Sequence, residues 1–131
     1  MIAKDDSPSD ESSSCSDLDL LCHIITPIGM LGYGYDESQT RVALQELSSS
    51  PAPVAIIADS GSTDSGPAKL ATGKTSCPRS AYIRDLGRLL VLAHEFNVPV
   101  LTSSCGGDGT NDHVDDYVKI IEENVAVHQN L

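Results

Sequence analysis

Val54-Ala-Ile-Ile-Ala-Asp-Ser-Gly-Ser-Thr-Asp-Ser-Gly-Pro67 decides how the rest of the chain is read. Five apolar residues, rich in β-branched side chains, end at an acid and run into a loop of Gly, Ser, Thr and Asp. A short apolar run bounded by turn residues fits a strand buried on both faces. The same pattern stands upstream, where Leu20 to Ile25 leads into Thr26-Pro-Ile-Gly-Met-Leu-Gly-Tyr-Gly34. It stands again downstream, where Val98 to Ser103 leads into Ser104-Cys-Gly-Gly-Asp-Gly-Thr-Asn-Asp112.

Helical patterns separate the three runs. Asp36 and Gln39 are spaced as a capping box, so a helix starts near Glu37, with Val42, Ala43, Leu44 and Leu47 on its apolar side. The segment from Pro67 to Thr75 is read as irregular. A second helix runs from about Ser76 to Phe96, with Ile83, Leu86, Leu90 and Ala93 on one face, widened by Leu89 and Leu92. A third starts near Asp112 or His113 and carries a stripe of Val114, Val118, Ile121 and Val125.

Strands alternating with helices predict a parallel sheet. The expected fold is α/β: a three-layer, Rossmann-like βαβαβα unit over residues 20–131 with a short sheet. Right-handed crossovers place the three loops at the C-terminal sheet edge, where open α/β sheets bind ligands.

Composition narrows the partners. The chain has 131 residues and a net charge of -11, from 19 acids against 8 bases. Such a chain lacks the clustered cations that nucleic acid or an anionic membrane surface requires. No apolar run approaches the ~20 residues of a membrane span. The first residues lack the basic start and apolar stretch of a secretory signal, which predicts a cytoplasmic location. The stretch 1–19, acidic and Ser-rich, has little to bury and is expected to be a disordered tail. The four cysteines, at 15, 22, 77 and 105, form no CxxC pair, so neither a zinc site nor a disulfide scaffold is expected.

The candidate site is built from the loops. They hold eight of the ten glycines: Gly29, Gly32, Gly34, Gly61, Gly66, Gly106, Gly107 and Gly109. Gly29, Gly32, Gly34, Gly106 and Gly107 are expected to admit substrate, and Ser62, Thr63, Asp64 and Asp108 to orient it. Asp59, at the tip of a buried strand, is expected to have a raised pKa and to share proton transfer with His113. Two further readings stay open. Asp59, Asp64, Asp108 and Asp112 could hold Mg²⁺, or the amides of the first loop could cradle an anion. Cys105 reads as a small buried residue rather than a nucleophile.

These loops resemble a known family. Thr26 to Gly34, Ala58 to Pro67, and Gly106-Gly-Asp-Gly109 with Asp112-His-Val-Asp115 look like the N-terminal part of the acyclic terpene utilisation family, over about residues 23 to 125. The resemblance implies a metabolic role on branched or isoprenoid acids, free or as CoA thioesters, in terpene catabolism or a secondary-metabolite pathway. By motif position it marks Asp59, Asp64, Gly106, Gly107 and His113 as site members. Ala68 and Lys69 stand where the family pattern has aromatic residues, and Cys105 and Thr110 where it has smaller ones. Family members are longer, so the chain is expected to be a shortened version of that domain. The alternative is a non-catalytic module whose sheet edge is covered by a partner chain or a second copy.

Overall fold

The computed structural model describes residues 20–61 and 63–128. The tail expected over 1–19, and Ser62, lie outside them. The described chain runs β1 (His23–Ile25), α1 (Glu37–Leu47), β2 (Val54–Ala58), a 3-10 turn (Thr63–Ser65), α2 (Gly66–Thr72), α3 (Arg79–Phe96), β3 (Val100–Thr102) and α4 (Asn111–Val127). It is an α/β fold, and among the described residues no helix is long and apolar enough to cross a membrane.

Local chemistry sets most boundaries. Asp36 caps α1 by accepting the Gln39 amide at 3.1 Å. The segment expected to be irregular contains α2, with Pro67 in its first turn and Gly73 closing it at φ 63°. Both are ordinary terminal signals for a helix. Asn97, at φ 52°, ends α3 in the left-handed conformation that Asn tolerates.

The three strands form a parallel sheet in the order β1-β2-β3, with Ile25 beside Ile56 and Ala58 beside Thr102. Ile56 and Ala58 point into a core shared with Leu31, Leu44, Leu86, Leu89 and Leu92. The alternate residues Ile24, Ile57 and Leu101 point the other way and are 57%, 36% and 52% exposed. Among the described residues the helices therefore cover one face only. The described residues supply two layers of the expected three, because a sheet ordered 1-2-3 by right-handed crossovers puts both crossing helices on the same side.

α4 corrects a second expectation. Its buried residues are His113, Tyr117, Ile120 and Asn124, one position away from the valine stripe. Val114, Val118 and Val125 are exposed. Burying Tyr117 and Ile120 removes more apolar surface than burying valines. The Tyr117 ring packs against Tyr82 with centroids 5.1 Å apart. Asn124 donates to the Ile120 carbonyl at 3.0 Å and lies against Gly87, where a Cβ would stand 2.5 Å from Asn124 Oδ1. α3 shifts similarly: Tyr82 and Asp85 join Leu86, Leu89 and Leu92 inside, while Ile83, Leu90 and Ala93 are only partly covered.

Candidate functional site

The loops meet at one sheet edge. The Leu31 amide donates to the Asp59 carbonyl at 2.7 Å, joining the first loop to the second. Ser60, fully buried, donates its hydroxyl to the Ser103 carbonyl and accepts the Gly106 amide at 3.2 Å, joining the second to the third. Gly61 allows this approach, since a Cβ there would meet Ser104 Cβ at 2.4 Å. Ser60 was not singled out in the sequence, where one hydroxyl among several carries no signal.

Asp59 sits at this edge but not as a base with a raised pKa. Its Oδ1 accepts from the Ser60 amide at 2.7 Å, the Gly61 amide at 3.2 Å and the Ser103 hydroxyl at 2.7 Å. Burial pushes its pKa up, but the hydrogen bonds from Ser103, Gly61, Ser60 and Ser104 outweigh it and hold the carboxyl below its ordinary value. The side chain is exposed.

His113 is buried at the start of α4. Its Nδ1 lies 2.6 Å from Asp108 Oδ1, and its Nε2 lies 3.3 Å from the Gly73 carbonyl. Asp108 also accepts the Thr110 amide at 3.0 Å and the Thr110 hydroxyl at 2.8 Å. The Thr110 amide is the main influence holding Asp108 below the usual carboxylate range, with His113 adding to it. An ionised Asp108 is an acceptor only, so Nδ1 carries the proton that faces it.

His113 opens on a cavity of about 480 Å³. The 73–78 link between α2 and α3 forms one wall, and Tyr82, Cys105, Tyr117 and Ile120 form the apolar remainder. Lys74, Arg79 and Asp116 supply charge. Asp59 does not line it, so Asp59 and His113 share an edge but not a pocket. The link and the two tyrosines were not expected at the site, because the link's role depends on the unrecognised α2.

The first loop does not cradle an anion. The Gly32 and Gly34 amides donate to Asp85 Oδ2 at 2.8 Å and 2.9 Å. Asp85, fully buried, also accepts from Arg84 Nε at 2.7 Å. Burial raises its pKa, but Arg84 and the two amides prevail and lower it. The protein's own carboxylate thus fills the place expected for a ligand. Gly29 borders open space. Gly106 packs on Thr75 and Tyr117, and Gly107 lies beneath the Lys69 stem. Thr63 and Asp64 belong to the 3-10 turn, with Asp64 exposed.

The acids of the loops do not form a Mg²⁺ site. Among the described residues no three His, Cys, Asp or Glu side chains group closely enough to hold a metal ion. Asp59 and Asp108 are each committed to the donors already named. Cys105 follows Ser104 in a strained turn, both at positive φ (37° and 60°), and burial pushes its thiol pKa up. That opposes a thiolate nucleophile.

No family model, curated protein or solved structure matches the chain.

Proposed function

We propose that the chain is a cytoplasmic metabolic enzyme acting on a small branched or isoprenoid acid, free or as a CoA thioester. The substrate binds in the cavity beside His113. One observation carries this reading: His113, held by Asp108 2.6 Å away behind it, stands in the wall of a 480 Å³ cavity. Ligand pockets of this kind span about 300–1,000 Å³, with mostly apolar walls and a few placed polar groups. Asp108 fixes the imidazole with its proton on Nδ1, which leaves the Nε2 lone pair as the group that takes a proton from substrate. Lys74 attracts the acidic end, Arg79 being paired with Glu123 at 2.7 Å, and Tyr82, Tyr117 and Ile120 receive the branched hydrocarbon. The resemblance of the three loops to the acyclic terpene utilisation family supports the same substrate class. Asp59 positions the loops by holding Ser103, rather than moving protons.

A melt against branched acids of five to ten carbons, their CoA thioesters, nucleotides and Mg²⁺ tests this. A specific ligand at 100 times its Kd stabilises by about 2.7 kcal/mol, a shift of several degrees. His113→Gln abolishes the shift if the reading holds. A shift confined to nucleotides, or one unchanged in His113→Gln, overturns it.

A second reading, a non-catalytic interaction module, draws on the open outer face of the sheet.

A further inference from the structure

We infer that α2, with Gly73 and Lys74 after it, is a lid on the cavity: a second proton on His113 latches it shut, and loss of that proton lets it open. The inference goes beyond the proposed reaction and needs no substrate.

Both ring nitrogens of the buried His113 face oxygens that only accept. Nδ1 lies 2.6 Å from the Asp108 carboxylate, and Nε2 lies 3.3 Å from the Gly73 carbonyl. A neutral imidazole has one N–H, and Asp108 takes it. The second bond then needs a second proton, on Nε2. Without it, a buried lone pair faces those of a carbonyl oxygen, and the contact repels. The Gly73 contact is therefore a hydrogen bond of the imidazolium.

What that bond holds is lightly built. α2 buries none of its residues, and its Leu70 is 65% exposed. Gly73 and Lys74 are exposed as well. The Lys69 stem rests on Gly107, a contact made by a flexible side chain. Segments with few buried contacts open most easily. Further on, the link is pinned. Thr75 packs on Gly106, the Ser76 amide donates to the Gly106 carbonyl at 2.7 Å, and the Cys77 amide donates to the Tyr82 hydroxyl at 2.9 Å. Gly73 and Lys74 line the cavity, so releasing them opens that wall.

The charges around the ring come from every element that borders it. Asp108 favours the second proton. Asp116 of α4 adds to it weakly, being exposed and held by Lys119 at 3.1 Å, and Asp112 beside the ring is exposed too. Lys74 opposes the second proton, and so does Arg79, which Glu123 neutralises at 2.7 Å. Burial raises the pKa values of Cys105, Tyr82 and Tyr117, which stay neutral. Cys77 belongs to the pinned half of the link.

The test follows the ligand-free protein by NMR from about pH 5 to about pH 8, where imidazoles exchange their second proton. Long-range ¹H–¹⁵N spectra report both nitrogens of His113. Hydrogen exchange, corrected for its intrinsic pH dependence, reports the amides of Leu70, Ala71, Thr72 and Gly73. As the ring loses its second proton, their protection falls by about tenfold or more at the same midpoint, while the Leu89 and Leu92 amides of α3 keep theirs. Asp108→Asn removes the anion and moves both midpoints together to lower pH. Protection of α2 that stays level while the ring titrates overturns the inference. So does a ring that keeps one proton throughout the range. So does an α2 midpoint that stays in place in Asp108→Asn while the ring's moves, because another group then works the lid. If Asp108→Asn fails to fold, the wild-type comparison decides alone. No ligand enters the test, so failure of the proposed substrate class leaves its result standing.

Discussion

His113 Nδ1 and Asp108 Oδ1 lie 2.6 Å apart, whereas Asp59, at the head of the second loop, accepts from a hydroxyl and two backbone amides. The ring's tautomer follows, because Asp108 cannot donate. Long-range ¹H–¹⁵N NMR should find the proton on Nδ1 in wild type. In Asp108→Ala the preference should disappear. A ring protonated only on Nε2 in wild type would contradict the pairing.

Asp85 is the more consequential acid for stability. Its carboxylate accepts two glycine amides and Arg84. Asp85→Asn puts an amide donor among donors and should destabilise by about 3 kcal/mol in urea titrations. A loss below ~1 kcal/mol would show that the amides find water instead.

Acid titration should report the same group. The folded pKa of Asp85 is lowered, so its unfolded form binds protons first as pH falls. Its stabilisation is complete well above the ordinary carboxyl pKa of about 3.9, and drains away as pH falls past that value through the folded one. Asp59 shifts in the same direction and adds to the effect. Stability measured between pH 7 and pH 2 should fall less steeply in Asp85→Asn than in wild type. Parallel curves would remove Asp85 from the account.

Two glycines of the first loop should separate cleanly. Gly32 stands at φ 104°, and a Cβ would meet Cys77 Sγ at 2.6 Å. Gly32→Ala should cost about 2–3 kcal/mol, from backbone strain and a clash. Gly29 has nothing within 4 Å and no positive φ. Gly29→Ala should be neutral or stabilise by up to about 1 kcal/mol. Equal effects would mean the loop is not held as described.

The α3–α4 contact gives a double-mutant cycle. Gly87→Ala should destabilise by about 1–2 kcal/mol, since its Cβ would crowd Asn124 Oδ1 at 2.5 Å. In an Asn124→Ala background the same change should stabilise by up to about 1 kcal/mol, because Ala suits a helix better than Gly. Additive effects would deny the contact.

How far the sequence could be read depended on the range of the interactions. β2 and the Asp36 cap were legible because each is written in neighbouring residues. α2 was not, because seven residues with a Gly–Pro start give little periodicity, although Pro67 and Gly73 marked both ends. The buried side of α4 was misjudged by one residue because valine spacing alone ignores what the facing helix offers. Tyr82 and Gly87 decide that, and they lie in α3. Asp85 was illegible for the same reason. An acid within an amphipathic helix reads as solvated until the Gly32 and Gly34 amides, about fifty positions earlier, are brought to it. At the site, the meeting of the loops followed from topology. The pairing of His113 with Asp108, rather than with Asp59, is set by the turn of the third loop, where Thr110 holds the Asp108 carboxylate beside the start of α4.

The order β1-β2-β3 has a kinetic meaning as well. Each strand pairs with the one made just before it, so no segment must wait for a distant mate. Growth from the amino end lets every βα increment template the next during synthesis. Among the described elements α4 follows the last strand, so the Asp108–His113 pair at its start closes onto a sheet whose three strands have already been made.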